Sequence, residues 1–109
     1  MANDVFETVS EPARRAILDL LMRGPRSVGE IVERTGMSQP NASRHLRILR
    51  ESGLVQSSAD RQRRIYELRP EGLAELIGWL GPYQQLWRHH LDRLEAQLDE
   101  QHSNEQGDK

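Results

Sequence analysis

A serine at 38 and a glycine at 53 bracket the stretch that most constrains this chain, SQPNASRHLRILRESGLV. Ser38 can accept a hydrogen bond from the free N–H groups of a first helical turn, and Pro40 falls where a missing N–H costs little. Gly53 can take the left-handed conformation that closes a helix. Between them Ala42, Leu46 and Leu49 are spaced four and three apart, so one face of a helix reaching about Ser52 is apolar. At roughly 100° per residue from Leu46, the residues Pro40, Arg44, Arg47 and Glu51 point away from that face. Asn41 and Ser43 lie on its flanks, and His45 lies on its border, where a packed or hydrogen-bonded histidine is expected.

The rest of the chain is punctuated in the same way. Val5, Phe6 and Val9 predict a helical turn or two around Asp4–Val9. Ser10-Glu11-Pro12 starts a helix, with Ser10 as its cap, and ARRAILDLLMR buries Ala13, Ile17, Leu20 and Leu21 before Gly24-Pro25 ends it. Ser27 and Glu30 form a capping box for a short helix carrying Val28, Ile31 and Val32 inward, closed by Thr35-Gly36. Past Gly53, the segments Leu54–Ser58 and Arg64–Arg69 alternate like strands around a polar, basic tip, Ala59–Arg63. Pro70 opens a last helical region with Leu73, Leu76, Ile77 and Leu80 on one stripe. Gly81-Pro82 is expected to kink or break it. Beyond, Tyr83, Leu86, Trp87, His90 or Leu91, Leu94 and Leu98 continue in threes and fours, and residues 101–109 lose the pattern and read as a frayed tail.

With 109 residues the chain is expected to be one domain, about 1–100, with a core at about 10–69 and a C-terminal helical region at about 70–100. Small domains bury proportionally little surface and often use a partner subunit. No cysteine is present, which removes disulfides, Cys-containing zinc sites and thiol nucleophiles. MANDVFETVS has neither the basic nor the apolar run of a signal peptide, and no apolar segment approaches the roughly 20 residues that span a bilayer. A soluble, cytoplasmic protein without membrane contact is expected.

The net charge of −2 hides a division. Residues 11–69 hold twelve arginines against seven acids, whereas residues 70–109 hold three cations against eight acids. A basic middle on an acidic tail suits a module that meets a polyanion on one side.

Helix, helix, four-residue turn (Thr35–Ser38), helix, hairpin, helix is the order of a winged helix-turn-helix: mostly α with a two-stranded β-hairpin wing. In that motif the second helix enters the major groove with its N-terminal residues at the base edges. The outward face near Ser38 offers an amide, a hydroxyl and a guanidinium, which pair with adenine, with base or phosphate, and with guanine. Arg47 and Arg50 lie farther along and suit phosphates. Arg61, Gln62, Arg63 and Arg64 would grip the backbone beside them as a wing, spanning Ala59–Arg64.

EPARRAILDLLMRGPRSVGEI, MSQPNASRHLRILRESGLV and the strand RRIYEL resemble the ArsR/SmtB family of bacterial transcriptional regulators, over about residues 5–70. The resemblance implies a homodimeric repressor of double-stranded DNA, paired through its first and last helices, bound to an inverted-repeat operator and released by an inducer, here unknown. It places Gln39, Asn41, Ser43 and Arg44 toward the operator, with Ser38, Pro40, His45, Arg47, Arg61, Arg63 and Arg64 beside them. It assigns the dimer interface to Val5, Phe6, Leu80, Tyr83, Leu86, Trp87, His90, Leu91, Leu94 and Leu98. The family's thiol sensors carry cysteines where this chain has EIVER, so thiol sensing is excluded. His89, His90, Asp92, Glu95, Asp99 and His102 supply nitrogen and oxygen ligands in an order unlike the family's Asp-x-His…His-x-x-Glu site, so no metal and no cofactor is expected; a metal-responsive repressor is the alternative. The C-terminal aromatic stripe, Trp79, Tyr83 and Trp87, resembles the non-metal branch, as a dimer seam or, alternatively, a small-molecule pocket. A protein-interaction module is the other alternative, but its reading face would be acidic. No Ser-His-Asp order or Gly-rich phosphate loop suggests an enzyme.

Overall fold

The computed structural model describes residues 4–107, with side chains described for residues 4–102. Helix α1 (Val5–Ser10) opens on Asp4, whose Oδ1 accepts from the Phe6 N–H at 3.0 Å. Helix α2 (Pro12–Leu21) is capped by Glu11, which accepts from Ala13 N–H at 3.4 Å, and not by Ser10. The reason is that α1 runs one residue further than its apolar pattern, so the Ser10 hydroxyl donates back to the Glu7 carbonyl at 2.6 Å.

The capping box is formed at the start of α3 (Val28–Thr35): Ser27 Oγ accepts from Glu30 N–H at 3.2 Å while Glu30 Oε1 accepts from Ser27 N–H at 3.1 Å. Gly36, at φ 76°, ends it. Helix α4 (Gln39–Glu51) opens on Ser38, whose Oγ accepts from Asn41 N–H at 3.3 Å. Gly53 then adopts φ 83°, and the Leu54 N–H donates to Leu49 at 3.0 Å, satisfying a carbonyl the helix leaves free.

Strands β2 (Val55–Asp60) and β3 (Arg63–Leu68) pair antiparallel from Val55 opposite Leu68 to Asp60 opposite Arg63. The expected five-residue tip is therefore a two-residue loop, Arg61-Gln62, with Arg61 at φ 61°. A third strand, β1 (Arg26–Ser27), lies on the other side of β3, giving the order β1-β3-β2. Two residues, one of them the capping serine itself, carry no alternation, so this strand had no sequence signal.

The core gathers around the inner face of α4. Ile17, Ile31, Ala42, Leu46 and Leu49 have no exposure, and Leu54 and Val55 have almost none. Each such leucine or isoleucine contributes about 1.5–3 kcal/mol by leaving water. Val5 is also in this core, with Phe6 packed partly against it. Within the single chain Val5 is thus buried in the core, where α1 packs against α2.

After β3, a 3-10 turn at Pro70–Leu73 passes close under the end of α4. A Cβ on Gly72 would stand 2.1 Å from the Gly53 carbonyl oxygen, so only glycine fits there. Helix α5 (Ala74–Gly107) then runs without interruption through Pro82. Proline forfeits one backbone bond, and its clash with the preceding residue's Cβ is absent because that residue is Gly81. Residues 101–107 continue the helix where a frayed tail was expected. Loss of apolar period removes a burial face, but Gln101–Gln106 contains no proline or glycine to stop the backbone; residues 108–109 lie outside the described residues. By their internal packing the described residues divide into one compact unit that reaches to Leu76 and a second that begins at Ile77.

Candidate nucleic-acid interface

Burial divides α4 as its periodicity predicts. Gln39, Pro40, Asn41, Ser43, Arg44, Arg47 and Arg50 are exposed, while Ala42, Leu46 and Leu49 are sealed in the core. The turn before α4 is held by Thr35, whose hydroxyl donates to the Ile31 carbonyl at 2.6 Å and accepts from Met37 N–H at 3.3 Å. That turn and the Ser38 cap aim the N-terminal end of α4 outward. Neither Arg44 nor Arg47 is in an ion pair among the described residues.

His45 does not join this face. It is buried, and its Nδ1 lies 3.3 Å from the Arg14 Nη1 on α2. A guanidinium can only donate, so Nδ1 accepts and the imidazole proton sits on Nε2. Arg14 Nε also donates to the Thr8 carbonyl of α1 at 2.7 Å, so one arginine ties α1, α2 and α4 together. Burial, and then the charges of Arg44 and Arg14, lower the His45 pKa below its ordinary 6.5, against a smaller opposing pull from Glu11. At pH above 6.5 both folded and unfolded states hold His45 neutral; as pH falls below 6.5 the unfolded chain takes up the proton first, so stability is lost. Urea midpoints should therefore fall more steeply between pH 7 and pH 5 for the native chain than for His45→Gln, which keeps an acceptor without titrating. Parallel profiles would contradict the assignment.

The wing divides by face. Successive strand residues point to opposite sides, so Arg64 lies with Val55, Ser57, Ala59, Tyr66 and Leu68, and Arg63 lies with Gln56, Asp60 and Glu67. On the second side Arg63 pairs with Asp60 at 3.8 Å and Gln56 donates to Glu67 at 2.7 Å. On the first side Arg64 and Arg50 both donate to Ser57 Oγ, at 3.2 and 3.4 Å. The three basic wing residues thus act apart: Arg64 faces the α4 side, Arg63 is tied to an acid, and Arg61 sits in the loop. Ser57 was missed from sequence, although its even spacing from Val55 and Ala59 put it on the inward face.

Along α5, Trp79 and Tyr83 have ring centroids 4.9 Å apart, an i, i+4 contact across Pro82, and Trp87 and His90 lie 5.5 Å apart. Tyr83, Leu86, Trp87, Leu91, Leu94 and Leu98 are all exposed in the single chain, as is His90, while Leu80 is half-buried. Among the described residues, no three of the histidine, aspartate and glutamate side chains are grouped as metal ligands. No described helix is long and apolar enough to cross a membrane.

Residues 11–57, from the cap of α2 into β2, match the model of the bacterial regulatory protein, arsR family. The transcriptional repressor SdpR of Bacillus subtilis (strain 168) is 37% identical over 78 residues, covering 72% of this chain and 87% of that protein. The chain belongs to the ArsR family. Among solved structures, this ArsR-family chain is similar to a crystal structure of an ArsR family transcriptional regulator at TM-score 0.66 and 30% identity, over 76% of this chain and 91% of that one. It is also similar to a homodimeric winged helix-turn-helix DNA-binding domain from Mycobacterium bovis, solved by NMR, at TM-score 0.61 and 32% identity, over 74% of this chain and 75% of that one. This ArsR-family chain is accordingly a winged helix-turn-helix transcriptional regulator, mostly helical with a small antiparallel wing.

Proposed function

We propose that this ArsR-family chain is a homodimeric, cytoplasmic repressor that binds an inverted-repeat DNA operator through α4 and the wing. The observation that carries the reading is the outward end of α4: Gln39, Asn41, Ser43 and Arg44 are exposed beside a capped N-terminus, over a face that is fully buried. Arg44 is the reader of a guanine, through paired donors to O6 and N7, and Asn41 suits an adenine. Gln39 and Ser43 flank them. Ser38 keeps a hydroxyl proton to donate to a phosphate while its oxygen caps α4. Arg47 is a backbone contact farther along the helix. The homodimer is supported by the M. bovis domain and by the exposed apolar stripe of α5; the repressor role is supported by SdpR.

Arg44→Ala tests the reader directly. It is expected to weaken specific binding by about 1–3 kcal/mol and to relax preference at one base pair per half-site. Anisotropy titrations on operator duplexes with each base substituted measure both effects. An unchanged preference at every position would remove Arg44 from the reading set. Gel shifts on the DNA upstream of the protein's own gene, repeated with chelator and with a panel of divalent metals, test the metal-responsive alternative: binding that no metal alters would eliminate it.

A further inference from the structure

Two guanidiniums converge on one uncharged oxygen at the junction of α4 and the wing. Arg50 Nη1, from the last turn of α4, and Arg64 Nη1, from β3, lie 3.4 and 3.2 Å from Ser57 Oγ on β2. A hydroxyl has lone pairs for both donors but neutralises neither charge. Neither arginine is in an ion pair among the described residues. The acids of the hairpin do not help. Asp60 and Glu67 lie on the opposite side, engaged with Arg63 and Gln56. The Ser57 side of the hairpin carries Val55, Ala59, Tyr66 and Leu68 and no acid at all. Both guanidiniums are exposed, so an anion arriving from solvent can reach the two together.

We propose that Arg50, Ser57 and Arg64 form a seat for one backbone phosphate of duplex DNA, with Ser57 as the positioning residue. The inference rests on the DNA-binding reading above and adds to it a site joining helix and wing. Each guanidinium spends one N–H on Ser57 and keeps the rest of its planar fork for a second acceptor. A phosphate, with several oxyanion acceptors, can take donors from both forks at once through charge-assisted bonds. A backbone phosphate is the same under every base, so the contact is expected to be blind to sequence. It also fixes the wing's register: α4 and β3 share one phosphate, which sets where the wing lies relative to the bases that α4 reads.

The test is anisotropy binding of the full chain to an operator duplex and to an unrelated duplex across a potassium chloride series. Removing the seat in Arg50→Gln/Arg64→Gln should reduce the slope of log K against log salt by about 0.9 per half-site, the loss of one phosphate contact. Both duplexes should lose affinity by the same factor. The two single variants should be non-additive, because both act on one phosphate. Ser57→Ala should weaken both duplexes alike and Ser57→Thr, which keeps the hydroxyl, should restore binding; a purely structural role for Ser57 would leave the salt slope untouched. An unchanged slope in the double variant, or a loss confined to the operator duplex, overturns the seat while leaving DNA binding intact. Failure of the native chain to bind either duplex at low salt would overturn the DNA-binding reading itself.

Discussion

Replacing Leu46 by alanine is expected to remove about 2–5 kcal/mol of folding free energy, the cost of a buried leucine plus the cavity it leaves. Leu46 has no exposure and stands between Ala42 and Leu49 on the inner face of α4, in the same core as Ile17 and Ile31. A domain of this size has roughly 5–15 kcal/mol in total, so the change consumes much of it. Urea unfolding followed by circular dichroism should show a lower midpoint with an unchanged slope. Arg44→Ala, two residues earlier on the outward side, should leave the midpoint where it is. The pair separates the two duties of α4: Leu46 holds the helix and Arg44 reads with it. An unshifted midpoint for Leu46→Ala would mean that the helix is not seated as described.

The second large effect is expected from Trp87→Glu. Trp87 is 58% exposed in the single chain, within a stripe of exposed apolar residues from Tyr83 to Leu98. Such a stripe on a long helix is stabilised by a partner that covers it. Under the homodimer reading the partner is a second copy, and two-fold symmetry brings Trp87 of both copies to the same seam. A carboxylate there must be buried without a counter-charge or must keep the subunits apart. Sedimentation velocity should show a dimer for the native chain and a monomer for the variant. Affinity for an inverted repeat should fall by a factor on the order of 10²–10⁴, because the second half-site no longer profits from the first. The circular dichroism of the α1–β3 region should persist, since none of its core residues is altered. A variant that remains dimeric would move the interface off α5.

Where the sequence was legible, the reason was local chemistry. Ser27 with Glu30, Ser38 with Gly53, and the spacing of Ala42, Leu46 and Leu49 are each set by backbone needs within one helix, and each reappears as a hydrogen bond, a left-handed glycine or a sealed side chain. What escaped was set between elements. The two residues of β1 become a strand only because β3 lies beside them. His45 sits on the border of an apolar face, and only the approach of Arg14 from α2 decides that it turns inward. Arg61, Arg63 and Arg64 look like one basic cluster in a row of letters. The pleat sends Arg63 and Arg64 to opposite faces, so that Arg63 stands beside Asp60 and Arg64 beside Ser57. Val5 is named for the dimer interface by the family resemblance alone; in the single chain it lies in the core, where α1 packs against α2. Pro82 illustrates the converse: a strong breaker lies inside the helix, where Gly81 before it removes one of its clashes.

The most direct test of the central claim is selection of duplexes from a random-sequence pool by the native chain, followed by sequencing. An inverted repeat is predicted, with half-sites centred about one helical turn, roughly 10–10.5 base pairs, or a multiple of it apart. The same selection with Arg44→Ala should return that repeat with one position per half-site degenerate. A pool that yields no enriched sequence, together with no binding at low salt, would contradict the account.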